Sequence, residues 1–330
     1  NVNHLARALT DEQLSPPITV LFSWNGNPLV TQPNSELMRR GLERDDLFTV
    51  VHEQFLTDTA RYADIVLPAT TQIEQDDVVP AWGHLYLGAN HRAIDPLGES
   101  VSNTELFRRL SGAMGYTDPA LYASDAELID EVLQTLDADR RHDLHTEGFV
   151  RLDLPDDLRP FAEGAFPTPD GRAPLWSADL QRQGFDPLPT YLPATEGPQG
   201  DPALRNRFPL VLLTMKSHTR FLNSSYSHLP KHGLLEGGPT LEMHGDDLRA
   251  RGLDDGDRVR VWNDRGSVEV TVRNSARVRA GVVATGFGWW SAHEPHGCWA
   301  NSLTNDELAD WGGGVAYSST TVDVLAAPRA

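Results

Sequence analysis

The stretch that decides the fold is VVHEQFLTDTARYADIVLPATTQIEQDD, residues 50–77. It begins inside an apolar run, continues through a segment in which Thr57 or Asp58 can cap a turn of helix, and returns to a β-branched run that a proline ends. Another apolar run, 18–24, lies upstream, with a helical pattern at 37–44 in between. Strands that alternate with helices at this spacing predict a parallel α/β layer.

The last third of the chain has a different pattern, because apolar residues alternate with polar ones. In RVRVWNDRGSVEVTVR (258–273) this alternation surrounds the turn residues 263–266, which predicts a β-hairpin. Further β-rich runs occupy 208–214, 281–288 and 320–326. A closed β-barrel is the economical arrangement of such strands, because it leaves few open edges.

A proline-rich stretch with little periodicity separates the two patterns. We therefore predict three parts: an incomplete α/β layer over 1–150, an irregular connection on the surface over 151–205, and a β-barrel over 206–330.

The composition excludes several classes of function. The 330 residues carry 28 basic and 47 acidic side chains, so the net charge is −19 and nucleic-acid binding is not expected. The single cysteine, Cys298, excludes disulfides within the chain and Cys-rich zinc or iron–sulfur sites built from this chain alone. No apolar run reaches the roughly 18 residues of a membrane span, and the first residues lack a signal-peptide pattern. We expect a cytoplasmic protein.

Polar loops follow the three predicted strands of the α/β part, and open α/β sheets bind ligands at that end of their strands. The loops read WNGNP (24–28), HEQFLTDTA (52–60) and PATTQIEQDD (68–77). Their carbonyl and carboxylate oxygens suit the N–H and O–H groups of a nucleotide base and ribose. The same residue types are common turn formers, so the pattern alone leaves both interpretations open.

Two sets of motifs follow each other along the chain. The quoted stretch 50–77 is preceded by LFSWNGNP (21–28) and followed by GESVSNTELFRRL (98–110). The second half contains LLTMKSHTRFLNSSY (212–226), LEMHGDDLRARGLDDGDRVRVWNDRGSVEVTVR (241–273), VRAGVVATGFGWW (278–290) and NSLTNDELADWGGG (301–314). In this order, the motifs resemble the molybdopterin oxidoreductases of the dimethyl-sulfoxide-reductase superfamily, which include formate dehydrogenases, nitrate reductases and biotin sulfoxide reductases.

This resemblance implies a fold, a cofactor and partners. The fold is the incomplete parallel α/β layer of the family's core, followed by a double-psi-like β-barrel that binds the molybdopterin dinucleotide. The cofactor is molybdenum, or tungsten, held by two molybdopterin guanine dinucleotides, and the reaction is oxygen-atom or hydride-equivalent transfer. Family members carry the protein ligand to the metal, and often an iron–sulfur segment, upstream of the matched region. We therefore expect the C-terminal portion of a longer enzyme, inactive alone, whose partners are its N-terminal half and an electron-transfer subunit.

A second interpretation stays open, because some relatives keep this fold without molybdenum. Such a chain is a structural or interaction subunit of an electron-transfer complex. The polar residues at the cofactor-contacting positions favour cofactor binding, since a purely structural relative need not keep them.

The resemblance implies a set of cofactor contacts, with no catalytic acid or base and no protein ligand to the metal in this chain. In the α/β part these contacts are Asn25, Asn27, His52, Glu53, Gln75 and Asn103. In the barrel part they are Thr214, Lys216, Ser217, His218, Thr219, Arg220, Trp289 or its neighbour Trp290, and Asn301. Asn103 stands where many relatives have an Asp that accepts the guanine N–H groups. Residues 216–220 supply the cations and hydroxyl donors that a diphosphate needs.

Other histidines have weaker patterns. His293, His296 and Cys298 have the spacing of metal ligands, but we interpret them as loop residues, because a loop with such a pair is commoner than a site. A place at a substrate funnel or at the cofactor edge is the other interpretation. We interpret His228 and His232 as surface or loop-packing residues.

Overall fold

The structure is a computed structural model that describes residues 1–188, 190–216, 229–291, 300–309 and 312–328. The apolar runs of the first part form a parallel sheet of three strands, which confirms the predicted α/β layer. Its elements, in chain order, are α1 (Leu5–Thr10), β1 (Val20–Trp24), α2 (Pro28–Thr31), α3 (Ser35–Leu42), β2 (Phe48–Glu53), a 3₁₀ turn (Thr59–Tyr62) and β3 (Ile65–Pro68). The strand order is β1-β2-β3.

Helices α1 and α3 pack against each other around a small apolar core. Leu9, Leu29, Met38 and Leu42 are buried there. Gly41 permits the close approach, because a Cβ atom at this position would lie 2.7 Å from the Cβ atom of Leu9. A larger residue at this position of α3 would therefore push the two helices apart.

The segment that follows β3 forms a second sheet that the sequence did not predict. This sheet is antiparallel, and its strands are β4 (Asp77–Pro80), β5 (Tyr86–Asn90) and β6 (Phe149–Arg151), in the order β4-β5-β6. The helices of the same region are α4 (Asn103–Ala113), α5 (Asp125–Leu133) and α6 (Ala138–Glu147). Leu87, Leu144 and Val150 form the core between them.

Residues 151–205 are largely irregular, with one short helix near the middle and another that begins near the end. These are α7 (Ala178–Arg182) and α8 (Pro202–Arg207). The segment is nevertheless attached to the rest of the protein at Glu196, which is buried. Its carboxylate forms a bidentate ion pair with Arg265, with N–O distances of 2.6 and 2.8 Å, and accepts the backbone N–H of Thr321 at 2.9 Å.

The predicted barrel is present and closed, in the strand order β10-β8-β11-β7-β12-β9. Its elements are β7 (Leu210–Met215), α9 (Pro230–Glu236), β8 (Thr240–Met243), α10 (Gly245–Arg251), β9 (Arg258–Trp262), β10 (Ser267–Asn274), β11 (Val282–Gly286) and β12 (Thr320–Ala326). The hairpin β9–β10 pairs Val261 with Val268, as its alternation predicts. Two pairs, β10 with β8 and β11 with β7, are parallel. The alternating valines and leucines of these strands fill the barrel core.

The chain forms two compact units. The first contains residues Asn1–Val51, Leu56–Ile65 and Leu175–Ala330, and the second contains His52–Phe55 and Val66–Pro174. The domain boundaries predicted near 150 and 206 stay a prediction. Each unit gathers separate stretches of the sequence that contact each other in space, so the units do not test boundaries along the chain. Within the described residues, no helix combines the length and the hydrophobicity that crossing a membrane requires.

Candidate functional site

A buried polar cluster surrounds the short helix α2 in the first unit. Asn27 stands immediately before this helix, and its Oδ1 atom accepts hydrogen bonds from the backbone N–H and the hydroxyl of Thr59, at 3.1 and 2.8 Å. The hydroxyl oxygen of Thr59 in turn accepts the backbone N–H of Leu29 at 3.0 Å. The Nδ2 atom of Asn27 is buried and has no hydrogen-bond partner among the described residues. Asn27 therefore holds, at the start of α2, a buried donor that no described residue accepts from.

Asn301 of the barrel half reaches the same helix. Its Nδ2 atom donates to the carbonyl oxygen of Val30 at 2.7 Å, and its Oδ1 atom accepts the hydroxyl of Thr304 at 2.9 Å. Asn27 and Asn301, predicted as cofactor contacts from distant parts of the sequence, thus lie at one helix of one unit. Asn25, the other candidate of the first loop, is exposed and has a left-handed backbone with φ of 51°.

A buried carboxylate that sequence reasoning did not select lies in the same unit. Asp58 is only 3% exposed and accepts the backbone N–H of Ser291 at 3.1 Å, together with the Ser291 hydroxyl. Ser291 directly follows Trp289 and Trp290, which are both buried. Because 233 residues separate Asp58 from Ser291 along the chain, no local pattern could have indicated the pair.

The sequence left open whether Thr57 or Asp58 caps the 3₁₀ turn, and the structure assigns this role to Thr57. The hydroxyl of Thr57 accepts the backbone N–H of Ala60 at 3.2 Å, whereas Asp58 makes no side-chain capping bond. The carboxylate of Asp58 is therefore available for its bond with Ser291.

In the second unit, Gln75 and Asn103 line one small pocket of about 200 Å³, together with Asp76, Asp77 and Asp125. The Oε1 atom of Gln75 accepts the hydroxyl of Thr70 at 2.7 Å. Gln75 also borders a larger cleft of about 690 Å³ in the same unit. The fold thus brings together two of the predicted cofactor contacts, of which Asn103 is the one predicted to face guanine.

The turn before Gln75 is fixed by the buried carboxylate of Glu74. It accepts the backbone N–H and the hydroxyl of Thr71, each at 2.7 Å, and the backbone N–H of Leu97 at 2.7 Å. These hydrogen bonds, those from Thr71 first, hold the pKa of Glu74 below its usual range. Glu74 is therefore a charged group that orders the loop beside Gln75.

His52 and Glu53 lie at the end of β2. His52 is fully buried, and neither ring nitrogen has a hydrogen-bond partner among the described residues. The carboxylate of Glu53 accepts the backbone N–H of Gln54 at 2.7 Å.

In the barrel, Thr214 is half-buried on β7 and Lys216 is exposed just after that strand.

The remaining candidates lie outside the described residues. They are Ser217, His218, Thr219, Arg220, His228, His293, His296 and Cys298. Among the residues that the structure does describe, no group of three or more His, Cys, Asp or Glu side chains could hold a metal ion.

Two family profiles match the chain. Residues 6–113 match the family Molybdopterin oxidoreductase, and residues 210–321 match the Molydopterin dinucleotide binding domain. The two matches coincide with the α/β part and with the barrel.

The chain is also similar to several curated proteins. It is 38% identical over 326 residues to Probable oxidoreductase YoaE of Bacillus subtilis (strain 168), a match that covers 98% of this chain and 46% of that protein. It is 30% identical to Dimethyl sulfoxide reductase DmsA of Escherichia coli (strain K12), covering 84% of this chain and 38% of that protein. It is 26% identical to Acetylene hydratase of Syntrophotalea acetylenica, covering 85% of this chain and 38% of that protein. The chain spans less than half the length of these relatives.

Among solved structures, the fold is similar to that of Acetylene Hydratase from Pelobacter acetylenicus. The TM-score is 0.82 at 22% sequence identity, and the match covers 99% of this chain and 46% of that one. Nearly the whole chain therefore shares its fold with a part of that larger protein that makes up less than half of its length.

Proposed function

Because the chain belongs to the molybdopterin oxidoreductases of the dimethyl-sulfoxide-reductase superfamily, we propose that it is the cofactor-binding part of an oxidoreductase that uses two molybdopterin guanine dinucleotides and molybdenum or tungsten. The bound cofactor would supply oxygen-atom or hydride-equivalent transfer. The residues of this chain would bind and orient the guanine and pterin groups and exclude water from them. A protein ligand to the metal and an electron-transfer partner would come from outside the described residues.

The buried cluster around α2 carries the proposal. Asn27 and Asn301 come from parts of the chain that match two different profiles of this family, and both lie at this helix. The Nδ2 donor of Asn27, which has no partner among the residues that the structure describes, indicates a ligand, because a buried donor without an acceptor is costly. A phosphate or pterin oxygen is an acceptor of this kind, so the donor fits the cofactor.

The pocket that Gln75 and Asn103 line supports a binding site for the guanine base of the cofactor. Guanine presents N–H donors on one edge, and the amide oxygens of these two residues are acceptors. Asn103 is exposed at the start of α4, so its side chain is available to a ligand. Glu53 and Lys216 remain proposed contacts, to the guanosine and to the diphosphate respectively.

We propose a cofactor and a reaction class, but not a substrate. The relatives include proteins named as dimethyl sulfoxide reductases and one named as an acetylene hydratase, and these names describe different reactions. The alternative function, a structural subunit that keeps the fold without molybdenum, makes the opposite prediction about cofactor content.

The test measures molybdenum, tungsten and released guanine nucleotide in the full-length protein purified from its native host. We expect metal and about two guanine nucleotides per protein, as two dinucleotides require. Neither metal nor nucleotide in a folded preparation would overturn the proposal and favour the structural subunit.

Two variants of Asn103 test the guanine pocket. Asn103→Asp introduces the charged acceptor that many relatives have, so guanine nucleotide should be retained more tightly. Asn103→Leu removes the acceptor and should lower retention about tenfold, since one such hydrogen bond contributes about 1.5 kcal/mol. Gln181→Leu, on an exposed amide of α7, is the matched control and should change nothing. Equal retention in both Asn103 variants would remove this residue from the site.

A further inference from the structure

Three consecutive polar residues, Thr57, Asp58 and Thr59, are almost completely buried, with exposures of 2%, 3% and 0%. Buried polar side chains are retained where their hydrogen bonds are satisfied and have a role in ordering the structure. Each of the three has a different partner. Thr57 caps its own turn by accepting the backbone N–H of Ala60. The side chains of Asp58 and Thr59 instead bond to residues that are distant in the sequence.

Thr59 connects this segment to the first candidate contact. Its backbone N–H and its hydroxyl both donate to the Oδ1 atom of Asn27, which fixes the orientation of the amide. Because Oδ1 is engaged in this way, the Nδ2 donor has one defined position. Thr59 therefore determines which atom of Asn27 is left for a ligand.

Asp58 connects the same segment to the second candidate contact. Its carboxylate accepts both the backbone N–H and the hydroxyl of Ser291, and this residue ends the stretch that contains Trp289. A carboxylate that accepts hydrogen bonds in a buried site forms stronger bonds than a neutral acceptor does. Asp58 therefore holds residues 287–291, which follow β11, through Ser291.

We propose that Asp58 is a positioning residue for the cofactor: through Ser291 it fixes the loop that contains Trp289, while its neighbour Thr59 fixes Asn27. The 3₁₀ segment thereby sets the spacing between two contacts from distant parts of the sequence. Its role in cofactor retention rests on the proposed function, whereas its action on the loop does not. Asp58 itself makes no contact with the cofactor.

The first test needs no cofactor. Hydrogen exchange of the backbone amides of residues 287–291 should become about tenfold to hundredfold faster in Asp58→Ala, the effect of losing hydrogen bonds to a charged acceptor. Asp58→Asn keeps an acceptor oxygen of the same size and should restore most of the protection. Unchanged exchange in Asp58→Ala would overturn the proposal whether or not the protein binds a cofactor.

The second test asks whether the fixed loop matters for cofactor binding. Asp64→Ala is the matched control, because the carboxylate of Asp64 lies on the same segment but accepts the backbone N–H of Thr49, at 2.7 Å, and not a barrel residue. We expect full-length Asp58→Ala to retain at least fivefold less guanine nucleotide than Asp64→Ala at an equal folded fraction, and Asp58→Asn to recover most of it. Ser291→Ala should lower retention less in the Asp58→Ala background than alone.

The outcomes separate the proposal from the proposed function. A wild-type protein without guanine nucleotide refutes the function, while the exchange measurement still decides whether Asp58 fixes the loop. Nucleotide in the wild type, with equal loss in Asp58→Ala and Asp64→Ala, refutes the positioning role and leaves the function standing.

Discussion

The ion pair of Glu196 with Arg265 gives the sharpest prediction about how the proline-rich segment is attached. The side chains are 9% and 19% exposed, and the guanidinium also donates from Nε to the carbonyl oxygen of Leu303 at 2.8 Å. Glu196→Ala would leave the two terminal guanidinium nitrogens of Arg265 and the backbone N–H of Thr321 without the carboxylate that accepts from them, at a site with little access to water. Breaking a buried ion pair in this way costs about 3–5 kcal/mol, and the partial exposure of Arg265 places the expected loss near 3 kcal/mol.

The loss is measured as the change in the free energy of unfolding in urea, followed by tryptophan fluorescence. For a unit of this size, about 3 kcal/mol corresponds to a decrease of about 6–12 °C in the melting temperature. Asp264→Ala is the control, because Asp264 is the neighbour of Arg265 and pairs with Arg207 in an exposed ion pair, which contributes at most about 1 kcal/mol.

A double-mutant cycle with Arg265→Met isolates the pair from the other bonds of each residue. We expect a coupling energy above about 1 kcal/mol between the two substitutions. A loss in Glu196→Ala no larger than that in Asp264→Ala, with no coupling, would refute the reasoning. In that case, residues 151–205 would be the loosely attached surface connection that their composition predicts.

The parts of the fold that could be predicted are those in which a local pattern determines the structure. Alternating valines on both sides of a four-residue turn determine the hairpin β9–β10, since only one register buries all of them. Short apolar runs likewise determine β1 to β3, and a breaker marks the end of two of them, with Asn25 after β1 and Pro68 at the end of β3. A local pattern does not determine the closure of the barrel, because its parallel pairs join strands that are distant in the sequence.

The sheet β4-β5-β6 illustrates what a pattern of this kind misses. Its first strand, Asp77–Pro80, begins with a charged residue and ends with a proline, both of which are rare inside strands. Its third strand is only three residues long and lies far along the chain from the other two. Pairing, rather than propensity, makes these residues strands, and pairing over such a distance leaves no local signal.

The candidate site likewise contains residues that the sequence predicts and residues that it does not. Asn27 and Asn301 could be selected individually, because each lies in a motif that resembles the family. The residues that hold the site together could not, since the hydrogen bond that Ser291 donates to Asp58 and the one that Asn301 donates to Val30 each span more than 200 residues. Their residue types are ordinary in turns, so only coordinates distinguish a buried link from a solvated turn.

Two further predictions concern the first unit. Gly41→Ala should lower its free energy of unfolding by about 1–3 kcal/mol, because the added methyl group would lie 2.7 Å from the Cβ atom of Leu9 in a packed core. Gly314→Ala controls for the change in chain entropy, because no atom lies within 4 Å of its added methyl group. The second prediction is that the stability depends on pH through Asp306. Burial acts to raise the pKa of this carboxyl, but the hydrogen bonds and the charge of Arg7 have the larger effect. The pKa of Asp306 therefore lies below its ordinary value. A carboxyl with a lowered pKa in the folded state stabilises the fold above its unfolded pKa of about 3.9, and this contribution disappears as the pH falls through the folded pKa. The urea midpoint of the wild type should therefore exceed that of Asp306→Asn at pH 7, and the two should converge below about pH 4. If the difference is constant down to pH 3, or grows on acidification, the charge of Asp306 contributes nothing to the stability.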